Sequence, residues 1–451
     1  MPVSTRKSPR VAVLADSDTR WKWGALTANR VVEGSRIDGF LLRGRATPTP
    51  RQLQEVGVHA DSLREVTAVE FLRAMGRADG GTGSDVGGDT DDDPQDAPYD
   101  VVVLALVGGA VQAMLHGLAH TWREHKRRPV VVTGYVGVVY EKLADGLLLR
   151  HGADLVLANS RQDAERFRAV YSGVGADSTS VVETALPFLG GEPHSPSEPY
   201  RVVFAAQPSV PESRADRTYL LERMAAHARL HPDREVLIKL RSKPGEHTTH
   251  IEELPYQKLA QNVKLPDNCR LAYGHMGEVL DTADLLVTIS STAALESLHR
   301  RVPTAILTDL GIREALGNHH FIGSGCLASW DQLDAGHRPL PDPHWLARQG
   351  VAADGAYRSA FAAARARIAL LTEGPPLAPL DPYYSLTTAP GYLPRILARH
   401  HLGPDGAPLP GAPAADKEPG VVRQAVRRAA RGAYRHGVQR VAPVIRRMGE
   451  L

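Results

Sequence analysis

The chain has only two cysteines, Cys269 and Cys326, among its 451 residues. Two thiols cannot build a disulfide framework, and their separation does not match the paired spacing of a structural zinc site. The sequence therefore excludes a disulfide-stabilised scaffold and a zinc-finger protein. We expect the chain in a reducing, cytoplasmic compartment.

Long apolar runs are also missing. The longest, residues 101–115, is interrupted by Gly108, Gly109 and Gln112, and it falls short of the ~20 residues that a membrane-spanning helix needs. The apolar run near the N-terminus is too short for the central part of a secretory signal. We therefore expect neither a transmembrane helix nor a secretory leader.

The formal net charge is only +2, but it is unevenly distributed along the chain. Residues 421–451 contain eight arginines and one glutamate, a charge of +7, so residues 1–420 carry −5 by subtraction. Arginines recur at every fourth position from Arg423 to Arg435, beside a row of valines and alanines. This pattern predicts a basic amphipathic tail that binds an anionic membrane surface.

A protein partner and nucleic acid are the alternative ligands of this tail. Tyr434 is its one aromatic side chain for stacking on bases, and the rest of the sequence has no basic face or nucleic-acid-binding motif. We therefore expect no nucleic acid, and the choice between a membrane and a protein partner stays open. A Pro/Gly/Ala-rich linker, residues 401–420, precedes the tail.

Short apolar runs alternate with amphipathic helical patterns from residue 10 onward. In the first half, the predicted strands cover residues 10–16, 37–44, 100–107, 128–135 and 153–160. After a Gly- and Pro-rich segment at 186–199, the predicted strands cover residues 200–207, 234–241, 269–273, 285–289 and 304–309. Repeated βα units imply parallel sheets covered by helices. The sequence therefore predicts an α/β fold of two doubly wound, Rossmann-like domains.

One segment interrupts the first of these domains. Residues 76–98 are rich in Gly and Asp and poor in apolar side chains, which predicts a mobile acidic surface loop. Adjacent carboxylates such as those of residues 91–93 can bind Mg²⁺, but the surrounding glycines provide no rigid element to hold the ligands. We therefore expect no metal site in this protein.

Polar side chains follow two strands of the second half, and ligands bind beyond the carboxyl ends of the strands in a doubly wound sheet. The residues concerned are Lys239, Arg241 and Lys243 after one strand and Ser290, Ser291 and Thr292 after the other. Cationic side chains beside a helix N-terminus suit a phosphate or diphosphate. The alternative is that the basic residues are exposed charges and the hydroxyl residues are ordinary helix caps.

Residues 283–307 resemble the donor-site segment of two-domain GT-B glycosyltransferases. Both contain a strand, a hydroxyl-rich turn, a helix that carries a glutamate, and a second strand that opens with Val-Pro or a similar pair. In that family the turn holds the donor diphosphate and the glutamate holds the ribose. The resemblance therefore implies a phosphate role for Ser290, Ser291 and Thr292 and a ribose role for Glu296. Alternatively, Glu296 pairs with Arg300 one helical turn later.

Two further details concern the same resemblance. Residues 270–284 resemble the segment that receives the nucleobase in GT-B enzymes, which nominates Tyr273, Gly274 and His275. Arg301 stands where that family usually has a glycine. The hydroxyl turn also resembles that of bacterial sialyltransferases, although Lys243 and Pro244 are nearest to the position of their His-Pro pair.

The N-terminal half resembles the same family. Asp16 and Asp18 follow the first predicted strand, where GT-B enzymes bring loops of the acceptor domain to the cleft between the two domains. A transferase needs a general base for the acceptor hydroxyl, and these carboxylates are the candidates. Asp18 is alternatively a cap of the following helix. Over most of residues 10–400 the chain is similar to actinobacterial proteins classed as glycosyltransferases.

The resemblance implies a GT-B-like fold whose two domains face a cleft. It assigns residues 1–188 to an acceptor-side domain and residues 189–400 to a nucleotide-sugar donor domain, followed by the linker (401–420) and the basic tail (421–451). The implied activity is metal-independent transfer of a sugar to a glycan or lipid-linked acceptor of the cell envelope. The nucleotide sugar is then a substrate and no cofactor is expected; the enzyme is cytoplasmic or peripheral on the inner membrane face.

Two alternatives to a transferase remain from the sequence. The first is a nucleotide-sugar epimerase of the same fold, which would need further acid and base residues beside the sugar. The second is a non-catalytic nucleotide-sugar-binding or scaffold protein, which would not depend on Asp16 and Asp18.

Overall fold

The computed structural model of the protein describes residues 8–44, 46–76, 98–139, 143–243, 254–351 and 356–411. Over these residues the chain forms two compact units. The first unit contains the described residues up to Pro187 and those from Arg358 onward, and the second unit runs from Phe188 to Tyr357. The predicted acidic loop, apart from its end residues, and the basic tail lie outside the described residues, as does the second half of the linker.

The first unit is built on a seven-stranded parallel sheet in the order β3-β2-β1-β4-β5-β6-β7. Its strands are β1 (Arg10–Ala15), β2 (Arg36–Leu42), β3 (Ser62–Val66), β4 (Val101–Ala105), β5 (Val130–Gly134), β6 (Leu155–Ala158) and β7 (Val181–Glu183). Every residue of β1, β4, β5 and β6 is buried. These strands are continuous apolar runs because helices cover both faces of a parallel sheet.

Six helices of the described residues connect these strands. They are α1 (Asp18–Val31), α2 (Pro50–Val56), α3 (Ala68–Gly76), α4 (Gly108–Thr121), α5 (Leu143–Leu148) and α6 (Arg161–Gly173). Ser17 begins α1 and Ser160 begins α6, each accepting a hydrogen bond from a backbone N–H of the first turn. Trp21 and Trp23 of α1 are almost completely buried.

The second unit is built on a six-stranded parallel sheet in the order β10-β9-β8-β11-β12-β13. Its strands are β8 (Tyr200–Ala205), β9 (Arg234–Lys239), β10 (Cys269–Ala272), β11 (Leu285–Thr288), β12 (Thr304–Leu307) and β13 (Leu327–Ala328). Its α-helices are α7 (Arg214–Leu230), α8 (Tyr256–Leu259), α9 (Met276–Leu280), α10 (Ala293–His299), α11 (Trp330–Asp334) and α12 (Pro343–Arg348). Short 3₁₀ turns cover Ala260–Asn262, Glu314–Leu316, Asn318–Phe321 and Ala356–Phe361.

The chain then returns to the first unit with α13 (Ala362–Glu373) and α14 (Leu393–Ala398). Leu393 and Leu397 of α14 are buried in the core of the first unit, and α13 packs on α1 and β7. The sequence analysis carried the second domain to residue 400, so the structure differs from it over residues 358–400. An amphipathic pattern indicates that a helix buries one face, but it does not indicate against which core.

Two successive doubly wound parallel sheets give the protein a GT-B-like α/β fold, which confirms the predicted fold class. In each sheet the strand order reverses once, between β1 and β4 in the first and between β8 and β11 in the second. In doubly wound sheets the loops beyond the carboxyl ends of such paired strands diverge and leave a crevice, and ligands bind there.

In the described part of the chain, no helix combines the length and the apolar composition that crossing a membrane requires. Cys269 and Cys326 are buried as free thiols. Burial raises the pKa of each thiol to about 11.

Candidate functional site

Gln207 and Ser290 meet where the strand order of the second sheet reverses, at the position of the expected ligand crevice. Val287 of β11 lies in register with Phe204 of β8, so residues three positions further along each strand meet beyond the strand ends. The backbone N–H of Ser290 donates to Oε1 of Gln207 over 3.0 Å, and Nε2 of Gln207 donates to Oγ of Ser290 over 3.1 Å. The Ser290 hydroxyl in turn donates to the carbonyl of Leu316 over 2.5 Å. Ser290 is only 2% exposed, so its side chain holds the turn from within.

Ser291 and Thr292 are the half-buried members of the hydroxyl triplet. Oγ of Ser291 accepts a 3.2 Å hydrogen bond from the N–H of Ala293, and the Ser291 N–H donates to Oγ1 of Thr288 over 3.3 Å. Thr292 occupies the N-cap position of α10 and makes no side-chain cap hydrogen bond. The Thr292 hydroxyl is therefore not used to cap α10.

Glu296 lies in α10 and is 6% exposed. The suggested ion pair between Glu296 and Arg300 is replaced by another arrangement. Nε of Arg300 donates to Oδ1 of Asp281 over 2.7 Å, and its terminal N–H donates to the backbone carbonyl of Glu296 over 3.2 Å. Arg300 therefore stabilises the end of α10 through the backbone.

The backbone conformation of Arg301 accounts for the glycine that GT-B enzymes usually have at this position. Its φ angle is +60°, which is the left-handed conformation that favours glycine. The side chain departs from the GT-B pattern, but the backbone adopts a conformation for which glycine is the natural choice. Arg301 ends the turn that leads from α10 into β12.

The three basic residues after β9 have different environments. Lys239 is 5% exposed, and its ammonium group donates to the carbonyl of Leu240 over 2.8 Å. Arg241 is half-buried, and Lys243 is exposed with its Nζ 5.8 Å from the ring centroid of Tyr273. Lys239 therefore contributes mainly to the loop itself, whereas Arg241 and Lys243 reach the surface.

Tyr273, Gly274 and His275 follow β10, the edge strand of the second sheet, and all three are half-buried. Gly274 has a φ angle of +104°, so a side chain there would be strained. His275 is the N-cap residue of α9. These residues lie two strand spacings from β8, or roughly 10 Å, a separation compatible with the two ends of a nucleotide.

In the first unit, Asp16 joins the ends of the two strands at which the strand order reverses. Its Oδ1 accepts from the guanidinium of Arg20 over 2.8 Å, and its Oδ2 accepts from the N–H of Val107 over 3.1 Å. Val107 immediately precedes α4, after β4. Both oxygens of the Asp16 carboxylate are therefore engaged in hydrogen bonds.

Asp18 is the first residue of α1 and is half-buried. Ser17, and not Asp18, accepts the capping hydrogen bond from the N–H of Arg20. Oδ1 of Asp18 accepts from the hydroxyl of Thr19 over 3.3 Å. The suggested cap role therefore belongs to Ser17.

Sequence reasoning did not identify Gln207, Arg217 or His400. Gln207 is the last residue of a predicted strand, and its polar side chain at the carboxyl end of that strand could have identified it as a candidate site residue. Arg217 is almost completely buried in α7 and donates to the carbonyls of Gln207, Pro208 and Pro211, which fixes the loop after β8. Nothing in the sequence distinguishes it from a surface arginine. Burial lowers the pKa of the His400 imidazole, and the nearby charge of Asp16 opposes this shift.

Among the described residues, His227, His231 and Asp334 form the one group whose ligand atoms are close enough to hold a metal ion. Nδ1 of His227 lies 2.6 Å from Oδ1 of Asp334, and Nε2 of the same ring lies 3.4 Å from the guanidinium of Arg234. A second guanidinium, that of Arg223, binds the other oxygen of Asp334 over 2.9 Å. Two guanidinium groups lie in this cluster, and both nitrogens of the His227 ring have partners. The group is therefore a hydrogen-bonded cluster and does not suit a divalent metal ion.

A sequence profile of one protein family, described as "Putative glycosyltransferase (DUF6716)", matches residues 11–368. This match covers well over half of the chain. The protein belongs to this family. No curated protein matches its sequence.

Several solved structures have a similar fold. The UDP-N-acetylglucosamine 2-epimerase from Rickettsia bellii is 11% identical, with a TM-score of 0.49, over 80% of this chain and 96% of its own. The UDP-GlcNAc 2-epimerase from Neisseria meningitidis, bound to UDP-GlcNAc, is 10% identical, with a TM-score of 0.45, over 81% and 100%. The calicheamicin glycosyltransferase CalG4 is 16% identical, with a TM-score of 0.40, over 82% and 96%. Likeness at this level concerns the fold and assigns no substrate to this family member.

Proposed function

We propose that this glycosyltransferase-family protein transfers a sugar from a nucleotide-activated donor to a hydroxyl group of a glycan acceptor. The observation that carries the proposal is the turn of residues 290–292 at the strand-order reversal of the second sheet. Gln207 holds this turn in place, and Thr292 leaves its hydroxyl outside the capping network. Hydroxyl groups held at this position suit the phosphate groups of a nucleotide.

The remaining donor contacts follow from the positions of the residues around this turn. Arg241 and Lys243 are the cations that reach the surface and would receive the negative charge of the leaving diphosphate. Glu296 would accept from a ribose hydroxyl. The nucleobase would lie against the residues after β10, with Tyr273 providing a ring beside Lys243.

The transfer step needs a base that takes the proton of the acceptor hydroxyl. The acceptor oxygen then attacks the anomeric carbon, the bond from that carbon to the diphosphate oxygen breaks, and the nucleoside diphosphate leaves with the electron pair. Asp16 and Asp18 are the proposed candidates for this base. Arg20 and Val107 occupy both oxygens of Asp16, and Oδ1 of Asp18 accepts from the hydroxyl of Thr19, so each carboxylate would have to exchange a hydrogen bond to reach a substrate proton.

A thermal-shift panel of UDP, GDP, CMP and dTDP tests the donor site. A ligand at about a hundred times its Kd adds about 2.7 kcal/mol, which corresponds to roughly 5 °C or more for units of this size. We expect one nucleotide to stabilise the wild type, and Thr292→Val and Arg241→Gln to reduce that shift. Thr282→Val, at an exposed threonine of the same unit, is the matched control. A wild type that no nucleotide stabilises would contradict the proposal.

Activity measurements then distinguish a transferase from an epimerase and from a non-catalytic scaffold. Asp16→Asn and Asp18→Asn are tested for nucleotide binding and for consumption of the donor in the presence of acceptor glycans. A transferase loses turnover in at least one variant and keeps nucleotide binding. Conversion of the sugar nucleotide into an epimer without any acceptor would instead identify an epimerase, and nucleotide binding without turnover would identify a scaffold.

The proposed acceptor is a cell-envelope glycan or a lipid-linked sugar, reached at the inner face of the membrane. The basic composition of residues 421–451 supports this part of the proposal, since arginines at every fourth position suit anionic headgroups. Co-sedimentation with vesicles containing anionic lipid tests it. Equal binding by the full chain and by a chain truncated after residue 420 would rule out this role of the tail.

A further inference from the structure

We propose that Gln207 binds the diphosphate of the nucleotide donor directly, whereas Ser290 only positions the side chain of Gln207. The proposal rests on the proposed function, because it concerns the same crevice. Neither a sequence motif nor the family match assigns a role to Gln207. The geometry of its side-chain amide carries the argument.

The orientation of the Gln207 amide is fixed by the groups that it meets. Its Oε1 faces the backbone N–H of Ser290 at 3.0 Å, and an N–H can only donate. If the amide were flipped, its NH₂ group would face that N–H and one hydrogen bond would be lost. Nε2 is therefore the atom beside the Ser290 hydroxyl, at 3.1 Å.

One of the two hydrogens on Nε2 remains for a ligand. A primary amide carries two donor hydrogens, and the Ser290 hydroxyl accepts one of them. Within the described ranges of the chain, Nε2 of Gln207 donates to no further group. Gln207 is half-buried, and Ser290 is almost completely buried. The free N–H thus belongs to the residue that reaches the crevice.

The loop that carries Gln207 is rigid. Arg217 is buried beneath it and donates to the backbone carbonyls of Gln207 and Pro208. It also donates to the carbonyl of Pro211 over 2.7 Å. A donor held in place before the ligand arrives loses little conformational entropy on binding. Such preorganisation is what a binding residue needs.

The chemistry of the ligand follows from the neighbouring groups. A neutral N–H donor that contacts Ser290, the residue before the hydroxyls of Ser291 and Thr292, suits an oxygen that accepts several hydrogen bonds and carries negative charge. The diphosphate of a nucleoside diphosphate has such oxygens, whereas a nucleoside has none. Gln207 should therefore distinguish ligands by their number of phosphate groups.

Gln207→Glu tests this inference. The carboxylate keeps an acceptor for the Ser290 N–H but replaces the free N–H by a negative charge. We expect the Kd of the bound nucleoside diphosphate to rise at least tenfold more than the Kd of the matching monophosphate, with the nucleoside almost unchanged. Isothermal titration calorimetry measures all three. A purely structural role of Gln207 would weaken the three ligands by the same factor, and that result would overturn the inference.

Two further variants keep the test decisive. Gln332→Glu adds the same charge to the second unit at the exposed first turn of α11, about 14 Å away by three strand spacings, and should leave all three affinities unchanged. If Gln207→Glu does not fold, Gln207→Met removes the donor without adding charge and should still lower diphosphate affinity several-fold relative to nucleoside affinity. Equal affinities in Gln207→Met and wild type would overturn the inference. A wild type that binds none of the three ligands would instead refute the proposed function.

Discussion

Gly191 packs directly against the guanidinium group of Arg300. A β-carbon on Gly191 would stand 2.2 Å from Nε of that arginine, and the φ angle of Gly191 is +93°. The backbone carbonyl of Arg300 also accepts a 2.6 Å hydrogen bond from the N–H of His194. The segment that begins the second unit is therefore attached to the end of α10, the helix that starts at the proposed donor turn.

Replacing Gly191 by alanine should therefore destabilise the second unit. The new methyl group would displace Arg300 from Asp281 and would hold alanine in a left-handed conformation, at a cost of about 1–3 kcal/mol. Urea unfolding measures the change. Gly190→Ala is the matched control, because a β-carbon on Gly190 meets no atom within 4 Å. Equal effects of the two substitutions would show that the contact with Arg300 carries no stability.

Asp284 forms a second attachment of the same segment. It is 1% exposed and accepts hydrogen bonds from Nε2 of His194 at 3.1 Å, the N–H of Ser197 at 2.9 Å and the N–H of Arg201 at 2.8 Å. Asp284→Asn turns one acceptor oxygen into a donor and should lower the free energy of unfolding by about 2 kcal/mol.

The control for Asp284 is the carboxylate of Asp331, which is 84% exposed and pairs with Arg223. Exposed ion pairs contribute at most about 1 kcal/mol, so Asp331→Asn should cost less. The two variants are compared by chemical denaturation at one pH. An Asp331→Asn variant that is the less stable of the two would contradict this reading of the attachment.

Asp163 makes the stability of the first unit depend on pH. Burial raises the pKa of Asp163 from its ordinary value of 3.8 to about 6. Between these values the folded chain keeps a proton that the unfolded chain has lost. The contribution of Asp163 to stability therefore falls as the pH rises from about 4 to about 6 and then stays constant.

Asp163→Asn should remove this dependence. The variant should gain stability relative to wild type over the same pH range, reaching about 2–3 kcal/mol above pH 6. Asp216→Asn is the matched control, since Asp216 follows its own serine cap at the same helical position in α7 and is less buried. Denaturation curves from pH 4 to pH 8 measure both. A difference between wild type and Asp163→Asn that stays constant with pH would refute the shift.

The same substitution at two buried glutamines of the first unit should change the free energy of unfolding in opposite directions. Gln112 of α4 is completely buried, and neither polar atom of its side chain has a hydrogen-bond partner in the part of the chain that the structure describes. Gln52 of α2 is 4% exposed, and its Oε1 accepts from the N–H of Thr49 in a capping box.

Gln112→Met should raise the free energy of unfolding by about 1–2 kcal/mol, because it removes two unsatisfied polar atoms at nearly constant volume. Gln52→Met should lower it by about 1 kcal/mol, because the cap is lost. Thermal unfolding of the two variants beside wild type checks the signs. Destabilisation by Gln112→Met would mean that the amide has a partner, such as an ordered water molecule.

The sequence predicted the parallel strands most closely, because strands buried on both faces are continuous apolar runs. The predicted strand at residues 10–16 and the observed β1 differ by one residue. β3 was not predicted, and the burial of its residues explains why. Four of its five residues are exposed, so it lacks the apolar run that identifies a strand. β13 has only two residues and gives no pattern at all.

The positions of the site residues could be predicted from the sequence, but their contacts could not. Asp16 and the hydroxyl triplet were found from the sequence because polar residues at strand ends are visible there. Whether such a residue faces a ligand or its own backbone depends on the neighbouring strand, as Ser290 and Gln207 demonstrate. Their assigned roles in binding and catalysis remain predictions.

By itself, then, the sequence determined the local events: which segments form strands, where helices begin, and which polar groups stand at the strand ends. The tertiary structure decided which of these groups meet. It paired Gln207 with Ser290 across 83 positions of sequence and joined α13 and α14 to the first unit. The physical reason is that local patterns arise from neighbouring residues, whereas contacts between distant segments follow from the order of the strands, which no single segment encodes.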